Sequence, residues 1–179
     1  IDNIMVNAYL DDRKLSKLSS FVKNAENSLT KIVSVLGMDL GFIIFPNGQR
    51  LHLITDKGEI LEDHIALMLI QSLLNMEGRS LRLFQPVYSP DILDSKLKNL
   101  QIERGKFTNF TAKQLRQYDF VGSLTGNFAF TEFALNMDAL FASLKVLELL
   151  SKHEVSASDI VGGFPKFYYK AERITCPTA

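Results

Sequence analysis

Residues 41–55 read GFIIFPNGQRLHLIT, two short apolar segments on either side of a turn. The first segment, residues 41–45, is too short for a helix and is rich in residues that favour strands. Residues 46–49, Pro-Asn-Gly-Gln, have turn chemistry, because Asn and Gly accept positive φ angles. The second segment, residues 51–55, alternates apolar and polar side chains. This stretch therefore predicts a β-hairpin.

Helices and strands alternate on both sides of the hairpin. The spacing of apolar residues predicts helices over 11–36, from 62 into the seventies, and over 136–152 with Asn136 as its cap. Weaker patterns predict short helices over 91–99, 111–118 and 156–161, and strands over 81–87, 100–103, 120–123 and, as a strand or an extended arm, 167–169. The alternation predicts an α/β fold in which helices are layered on a mixed or mostly parallel sheet.

Composition excludes several classes of protein. The 179 residues contain 20 Lys and Arg against 20 Asp and Glu, so we expect no nucleic-acid partner and no anionic membrane surface as a partner. The longest apolar runs, 65–70 and 146–150, are far shorter than the roughly 20 residues of a spanning helix. The single cysteine, Cys176, excludes an intrachain disulfide and favours a cytoplasmic location. Because the chain starts at Ile1, we expect it to be part of a longer protein.

Three segments resemble the α-D-phosphohexomutases, the family of phosphomannomutase and phosphoglucomutase. Residues 41–60 resemble the strand, metal-binding loop and strand of that family, where the loop reads Asp-Gly-Asp-Ala-Asp-Arg and the second strand ends in an Asp-x-x-Gly turn. Residues 121–127, VGSLTGN, lie where the family has its sugar-recognition loop, Gly-Gly-Glu-x-Ser-Gly-His. Residues 138–149 resemble the family's Asp-Gly-Ile helix. The order and spacing of the three segments agree with the family.

The resemblance implies a domain organisation and a parent protein. Residues 1–61 would be the C-terminal part of the family's second domain, and residues 62–179 would be its third domain. Similar degenerate regions are fused behind the nucleotidyltransferase domain of mannose-1-phosphate guanylyltransferase-type proteins. The resemblance therefore implies a parent in sugar-nucleotide biosynthesis, whose other domains would be partners of this region.

The segment that resembles the metal loop has lost its acids. Magnesium prefers oxygen ligands, and the family supplies three aspartates. Phe45, Asn47 and Gln49 stand at those positions here, and only Arg50 is retained. Two neutral amides do not replace three carboxylates around a divalent cation, so we predict no magnesium site in this loop and no metal cofactor.

The resemblance also implies a degenerate sugar and phosphate site. Ser123, Thr125 and Asn127 stand at the glutamate, serine and histidine positions of the sugar loop, which predicts weakened recognition of a hexose phosphate. Arg50 belongs either to a phosphate-binding turn or to an ordinary hairpin turn. Arg104 either faces a sugar phosphate in the same cleft or is a solvated side chain at a strand end.

No residue of the chain is predicted to be catalytic. Phosphoryl transfer depends on charge stabilisation by metals and cations, and the family's phosphoserine and phosphate clamp belong to domains that this sequence does not contain. The three histidines, His52, His64 and His153, lack metal-ligand spacing. We therefore expect a non-catalytic domain with a structural, oligomerisation or sugar-phosphate-sensing role. The alternatives are part of an active mutase completed by other domains, and a protein-interaction domain without a ligand.

Two features of the sequence are compatible with an interface to another protein or to a second copy of the chain. Phe164, Phe167, Tyr168 and Tyr169 either form an interface or pack on the 136–152 helix. A partial second domain would expose a sheet edge, so a homo-oligomer through that edge is a further expectation.

Overall fold

The computed structural model describes residues 4–5, 18–107, 111–170 and 172. Residues 11–17 of the first predicted helix and Cys176 lie outside them. In chain order the elements are α1 (Leu18–Leu36), β1 (Leu40–Ile44), β2 (Leu51–Thr55), α2 (Asp63–Met76), β3 (Leu81–Pro86), β4 (Leu100–Gly105), α3 (Ala112–Leu115), β5 (Phe120–Gly122), β6 (Phe128–Phe130), α4 (Ala139–His153) and α5 (Ala157–Gly162).

The predicted hairpin is confirmed. β1 and β2 pair antiparallel, with Leu40 opposite Thr55 and Ile44 opposite Leu51. The turn between them closes through a hydrogen bond of 2.8 Å from the backbone N–H of Gly48 to the carbonyl of Phe45. The inward side chains of β2 are fully buried, which fixes the register of the hairpin on the core.

The predicted mixed sheet is also confirmed. Four strands follow the order β4-β3-β5-β6, in which β3 runs parallel to β4 and to β5, and β5 and β6 are antiparallel. The prediction of 120–123 as a strand end leading into a loop missed β6. This strand has three residues and pairs with β5 across a glycine-containing turn, so its own sequence carries little periodicity.

One hydrophobic core joins the hairpin to the sheet and helices. It includes Leu51 and Leu53 of β2, Leu67 and Leu73 of α2, and Phe120 of β5. This core runs across the predicted boundary at residue 61, and the division into units 1–61 and 62–179 remains a prediction.

Three local expectations need correction. The cap of α4 is Asp138, whose side chain accepts a hydrogen bond of 2.9 Å from the Phe141 N–H, rather than Asn136. Residues 91–99 form successive turns rather than a helix. The Ser89-Pro90-Asp91 segment, which predicts a helix entrance, is followed by turns that let Leu93 and Leu97 pack against Met68 of α2.

The C-terminal aromatic segment forms no strand, and the contacts of its rings are with α2 and the residues around Met68 rather than the predicted 136–152 helix. Phe164 and Phe167 pack with the cluster around Met68 on α2, and Tyr169 stacks on His64 of the same helix. Tyr168 is fully exposed. We call residues 164–169 the C-terminal arm. Its packing partner is α2, because the first turn of that helix presents an aromatic surface to it.

Among the described residues, no helix combines the length and the mean hydropathy that crossing a membrane requires.

Candidate functional site

A cleft of about 370 Å³ opens where the hairpin, the start of α2, the β5–β6 turn and the C-terminal arm meet. Its size lies within the ~300–1,000 Å³ typical of small-molecule pockets. The residues that line it are Arg50, His52, Ile60, Leu61, Glu62, Asp63, His64, Leu124 and Tyr169. Polar groups and apolar walls are therefore both within reach of a bound molecule.

Two loops that are far apart in sequence are joined at the rim of this cleft. Arg50 and Asn127 form an antiparallel bridge, and the Leu51 N–H donates a hydrogen bond of 2.8 Å to the carbonyl of Gly126. Gly126 has a φ of 72°, and a Cβ atom there would lie 2.6 Å from the Leu51 carbonyl oxygen. Only glycine allows this approach, so Gly126 holds the hairpin turn against the β5–β6 turn.

The side chain of Arg50 packs against the hairpin turn and the start of α2. Its Nη2 atom lies 3.5 Å from Oδ2 of Asp63, and its guanidinium carbon lies 4.6 Å from the centre of the Phe45 ring. Its Nε atom is buried and has no hydrogen-bond partner among the described residues. The guanidinium is therefore a fixed cation at the rim of the cleft.

His52 connects two acids. Its Nδ1 atom lies 2.9 Å from Oε1 of Glu26, and its Nε2 atom lies 3.8 Å from Oδ1 of Asp63. The Phe45 ring meets the imidazole edge-on, with centroids 4.8 Å apart. Together with the contact between Arg50 and Asp63, these contacts link four side chains in the order Arg50, Asp63, His52 and Glu26.

Asp63 is the better buried of the two acids that line the cleft. Its side chain is 23% exposed, whereas that of Glu62 is 80% exposed. Burial raises the pKa of the Asp63 carboxyl above its usual range, although Arg50, His52 and His64 oppose the shift. The cleft thus contains a carboxylate that is only partly compensated by its neighbours.

His64 and the C-terminal arm form one wall. The imidazole is stacked on the ring of Tyr169 with centroids 4.5 Å apart, and its Nδ1 atom lies 3.6 Å from Oε2 of Glu62. Burial lowers the pKa of His64, and the two neighbouring acids, Glu62 and Asp63, oppose that shift. His64 is therefore expected to be neutral at pH 7.

Within the β5–β6 turn, the Ser123 hydroxyl is used to shape the loop. It accepts hydrogen bonds from the backbone N–H groups of Thr125 (3.1 Å) and Asn127 (3.0 Å), and it lies 2.9 Å from the Thr125 hydroxyl. Ser123 is buried, Thr125 is exposed and Asn127 is half-buried. The structure thus brings the backbone of Asn127 beside Arg50, leaves Thr125 exposed in the same turn, and gives Ser123 a supporting position within that turn.

Arg104 is not brought to the cleft. Its guanidinium makes two contacts with the Asp94 carboxylate, at 2.6 and 2.8 Å, and donates a hydrogen bond of 3.1 Å to the carbonyl of Pro90. It belongs to β4, which is the opposite edge strand of the four-stranded sheet from β6. Arg104 holds the turns of residues 91–99 against β4, and it is neither at the cleft nor a freely solvated side chain.

The loop that resembles a metal loop does not fit a magnesium ion. The Phe45 ring faces Arg50 and His52, and Oδ1 of Asn47 accepts hydrogen bonds from the N–H groups of Gln49 (3.1 Å) and Arg50 (3.4 Å). Gln49 is exposed. Across the described residues, no group of three or more His, Cys, Asp or Glu side chains is arranged to hold a metal ion.

Sequence reasoning missed most of the cleft. Glu62 and Asp63 stand at the start of the helix that the sequence predicts from residue 62, and the spacing of the histidines predicts only that they do not bind a metal. A signal was present, because Glu62-Asp63-His64 is a run of three polar residues before a strongly apolar helix. Tyr169 could not be assigned to the cleft, since its contact with His64 depends on the path of the C-terminal arm.

The chain was also compared with known proteins. No family model and no curated protein sequence matches it. A solved structure of a phosphoglucomutase/phosphomannomutase family protein from Burkholderia thailandensis is similar over 80% of this chain and 32% of its own, with a TM-score of 0.64 and 19% identity. A protein from Thermus thermophilus assigned as a phosphomannomutase is similar over 76% of this chain and 33% of its own, with a TM-score of 0.60 and 15% identity.

These two similarities concern the fold. The chain spans about a third of the length of each of the two solved proteins. Its mixed α/β fold is therefore one that occurs within part of phosphoglucomutase/phosphomannomutase family structures.

Proposed function

We propose that this chain is a non-catalytic domain of the phosphohexomutase fold that binds a hexose or a hexose phosphate in the cleft without transferring a phosphoryl group. The observation that carries the proposal is the set of side chains in the hairpin loop, where Phe45, Asn47 and Gln49 offer no carboxylate at the positions at which the resemblance implies metal-binding aspartates. The retained Arg50 has its guanidinium over Phe45 and beside Asp63 of α2. The cleft is retained beside that loop, with polar groups and apolar walls.

The chemistry of this loop argues against phosphoryl transfer. The reaction needs concentrated positive charge around the transferred group. In the described structure the loop offers a ring, an exposed amide and an amide oxygen already used by the backbone. Arg50 supplies one cation, and a carboxylate lies 3.5 Å from it. Binding demands much less of a site than catalysis, and the polar groups and apolar walls of the cleft support a binding role.

The role of such a domain in a longer protein is a further part of the proposal, and it rests on the family resemblance of the sequence. We propose that it belongs to a protein of sugar-nucleotide biosynthesis, of the mannose-1-phosphate guanylyltransferase type, and that it senses a sugar or supports assembly. The similarity to about a third of each solved relative supports a domain that works beside others.

Titration with sugars tests this proposal. The purified chain would be titrated with glucose, mannose and their 1- and 6-phosphates, first without magnesium and then with it. We expect at least one sugar to bind with the same affinity in both buffers, and no interconversion of the phosphates. A ligand at ~100-fold excess over its dissociation constant should add roughly 2.7 kcal/mol to the free energy of unfolding. Magnesium-dependent interconversion, or no binding of any sugar, would contradict the proposal.

A protein-interaction role is a second candidate, and one surface favours it. Leu140 and Leu144 of α4 are 54% and 52% exposed, and Phe133 in the preceding loop is 62% exposed. Phe133 stacks on Phe141 at a centroid distance of 4.1 Å. If this apolar surface is an interface, the mass measured by light scattering will rise with concentration, and Leu144→Glu will abolish the rise.

A further inference from the structure

The charges around the cleft are unequal. In the described part of the chain, Arg50 is the one lysine or arginine that lines it, and Asp63 lies 3.5 Å from that cation. Glu62 also lines the cleft, and Glu26 lies behind His52 at 2.9 Å. Among the Lys, Arg, Asp and Glu side chains that line the cleft, two acids, Glu62 and Asp63, stand against the single cation Arg50, so these side chains give the cleft a negative potential.

This potential opposes a phosphate group. A phosphate monoester carries roughly −1.5 to −2 charges at pH 7 and offers mainly acceptor oxygens. Ionised carboxylates are also acceptors only, so Asp63 and Glu62 cannot form hydrogen bonds with it. The remaining favourable partner for a phosphate is Arg50, whose guanidinium already contacts the Asp63 carboxylate and the Phe45 ring.

The same groups suit a neutral sugar. Hydroxyl groups donate hydrogen bonds, and a carboxylate accepts them in charge-assisted bonds stronger than those between neutral groups. Ile60, Leu61 and Leu124 line the cleft with apolar surface, and the Tyr169 ring adds an aromatic one. A few polar groups set into apolar walls are typical of small-molecule sites.

We infer that the cleft recognises the unphosphorylated ring of a hexose through its hydroxyl groups, that a phosphate group on the sugar weakens binding, and that Asp63 sets this preference. The inference rests on the proposed function, since it names which part of a sugar ligand the cleft holds. It concerns discrimination between ligands rather than the absence of catalysis.

Calorimetric titration of the intact chain tests the inference. Glucose and mannose would be compared with glucose 1-phosphate and mannose 1-phosphate in one buffer at low and at high salt. We expect each neutral hexose to bind about tenfold or more tightly than its phosphate at low salt, because like charges placed together are strongly unfavourable. Added salt should narrow the difference by screening the carboxylates.

Variants identify the residue responsible. Asp63→Asn keeps the shape of the side chain and removes its charge, so the ratio of the phosphate and hexose dissociation constants should fall toward one. Glu62→Gln, at an exposed position that folding tolerates, should lower the ratio less. Asp91→Asn makes the same chemical change as Asp63→Asn at an exposed acid outside the cleft lining and should leave the ratio unchanged.

The possible outcomes of these titrations distinguish a failure of the inference from a failure of the proposed sugar-binding function. Equal affinities, or tighter binding of the phosphates, would overturn the inference and leave the proposed sugar-binding function standing. An unchanged ratio in Asp63→Asn would show that Asp63 does not set the preference, which also overturns the inference as stated. If neither hexoses nor phosphates bind, the proposed function fails and the inference fails with it.

Discussion

Gly126 and Arg50 illustrate how single residues shape this site. Gly126 lets the β5–β6 turn touch the hairpin, since a Cβ atom would lie 2.6 Å from the Leu51 carbonyl oxygen and 3.1 Å from Oδ1 of Asp63. Arg50 crosses the same junction and meets Asp63 there. Both residues lie where the hairpin turn contacts the β5–β6 turn at the rim of the cleft.

Replacing Gly126 with alanine should break this junction. Gly78 has the same φ of 72°, but a Cβ atom there would meet nothing within 4 Å, so Gly78→Ala is a matched control for backbone strain. We expect Gly126→Ala to lose roughly 1–3 kcal/mol more unfolding free energy than Gly78→Ala in urea denaturation, because its methyl group is overpacked. Equal losses in the two variants would show that the contact with Leu51 does not matter.

The titration of Asp63 gives a second prediction at this scale. Because burial raises its pKa in the folded state, Asp63 favours folding in its protonated form, and that contribution is lost as pH rises through the raised pKa. Asp63→Asn removes this dependence. The variant should therefore be more stable relative to the wild type at neutral pH than at a pH below the ordinary aspartate pKa. In other words, the difference in unfolding free energy, variant minus wild type, should be larger at neutral pH. Denaturation curves at both pH values measure the difference, and a difference of the opposite sign would contradict the account.

At the scale of elements, the ends of α2 have different roles. Its first turn supplies Glu62, Asp63 and His64 to the cleft and its vicinity. Its other end is fastened to α4, since Glu77 lies 2.8 Å from Nζ of Lys152 and 2.9 Å from Nε2 of His153. These contacts tie the end of α2 to the end of α4, while the opposite end of α2 faces the cleft.

Glu77→Gln should loosen α2 from α4. Hydrogen bonds from Lys152 lower the pKa of Glu77, and those from His153 add to the effect against an opposing contribution from burial. A lowered folded-state pKa contributes stability above the ordinary glutamate pKa, and this stability is lost as pH falls through the folded value. We expect a loss of roughly 1–3 kcal/mol at pH 7 that shrinks in acid, measured by urea denaturation.

The exposed acid Glu59 provides the control for this change. Glu59→Gln should alter the free energy of unfolding by less than about 0.5 kcal/mol, as is usual for surface substitutions. If Glu77→Gln is equally mild at pH 7, the link between the two helices contributes no stability.

Elements were predictable where the signal was local. The hairpin follows from turn chemistry and strand-forming residues that are adjacent in sequence, and the short helix predicted over 156–161 is present as α5. β6 and the turns of 91–99 were mispredicted, because their structure depends on distant partners, β5 in one case and Met68 in the other. The meeting of Arg50 with the β5–β6 turn could be expected only from the family resemblance. The cleft wall made by Tyr169 carried no sequence signal at all.

At the scale of the molecule, long-range contacts make the hairpin part of one body with the sheet. Beyond the shared core, Asp56 accepts hydrogen bonds from the backbone N–H (3.0 Å) and hydroxyl (2.8 Å) of Ser158 in α5. Burial raises the pKa of the Asp56 carboxyl, but these bonds bring it below its ordinary value. The Asp56-Lys57-Gly58 turn thus serves as an anchor for α5, and the cleft lies in a scaffold held from several sides.

The account depends most on the claim that the hairpin loop, with Phe45, Asn47 and Gln49 in place of three acids, binds no divalent cation. Calorimetric titration of magnesium chloride into the intact chain, with Asn47→Ala titrated in parallel, measures this directly. We predict no saturable heat for either protein and an unchanged melting temperature. Saturable binding of one ion per chain that is lost in Asn47→Ala would contradict the claim.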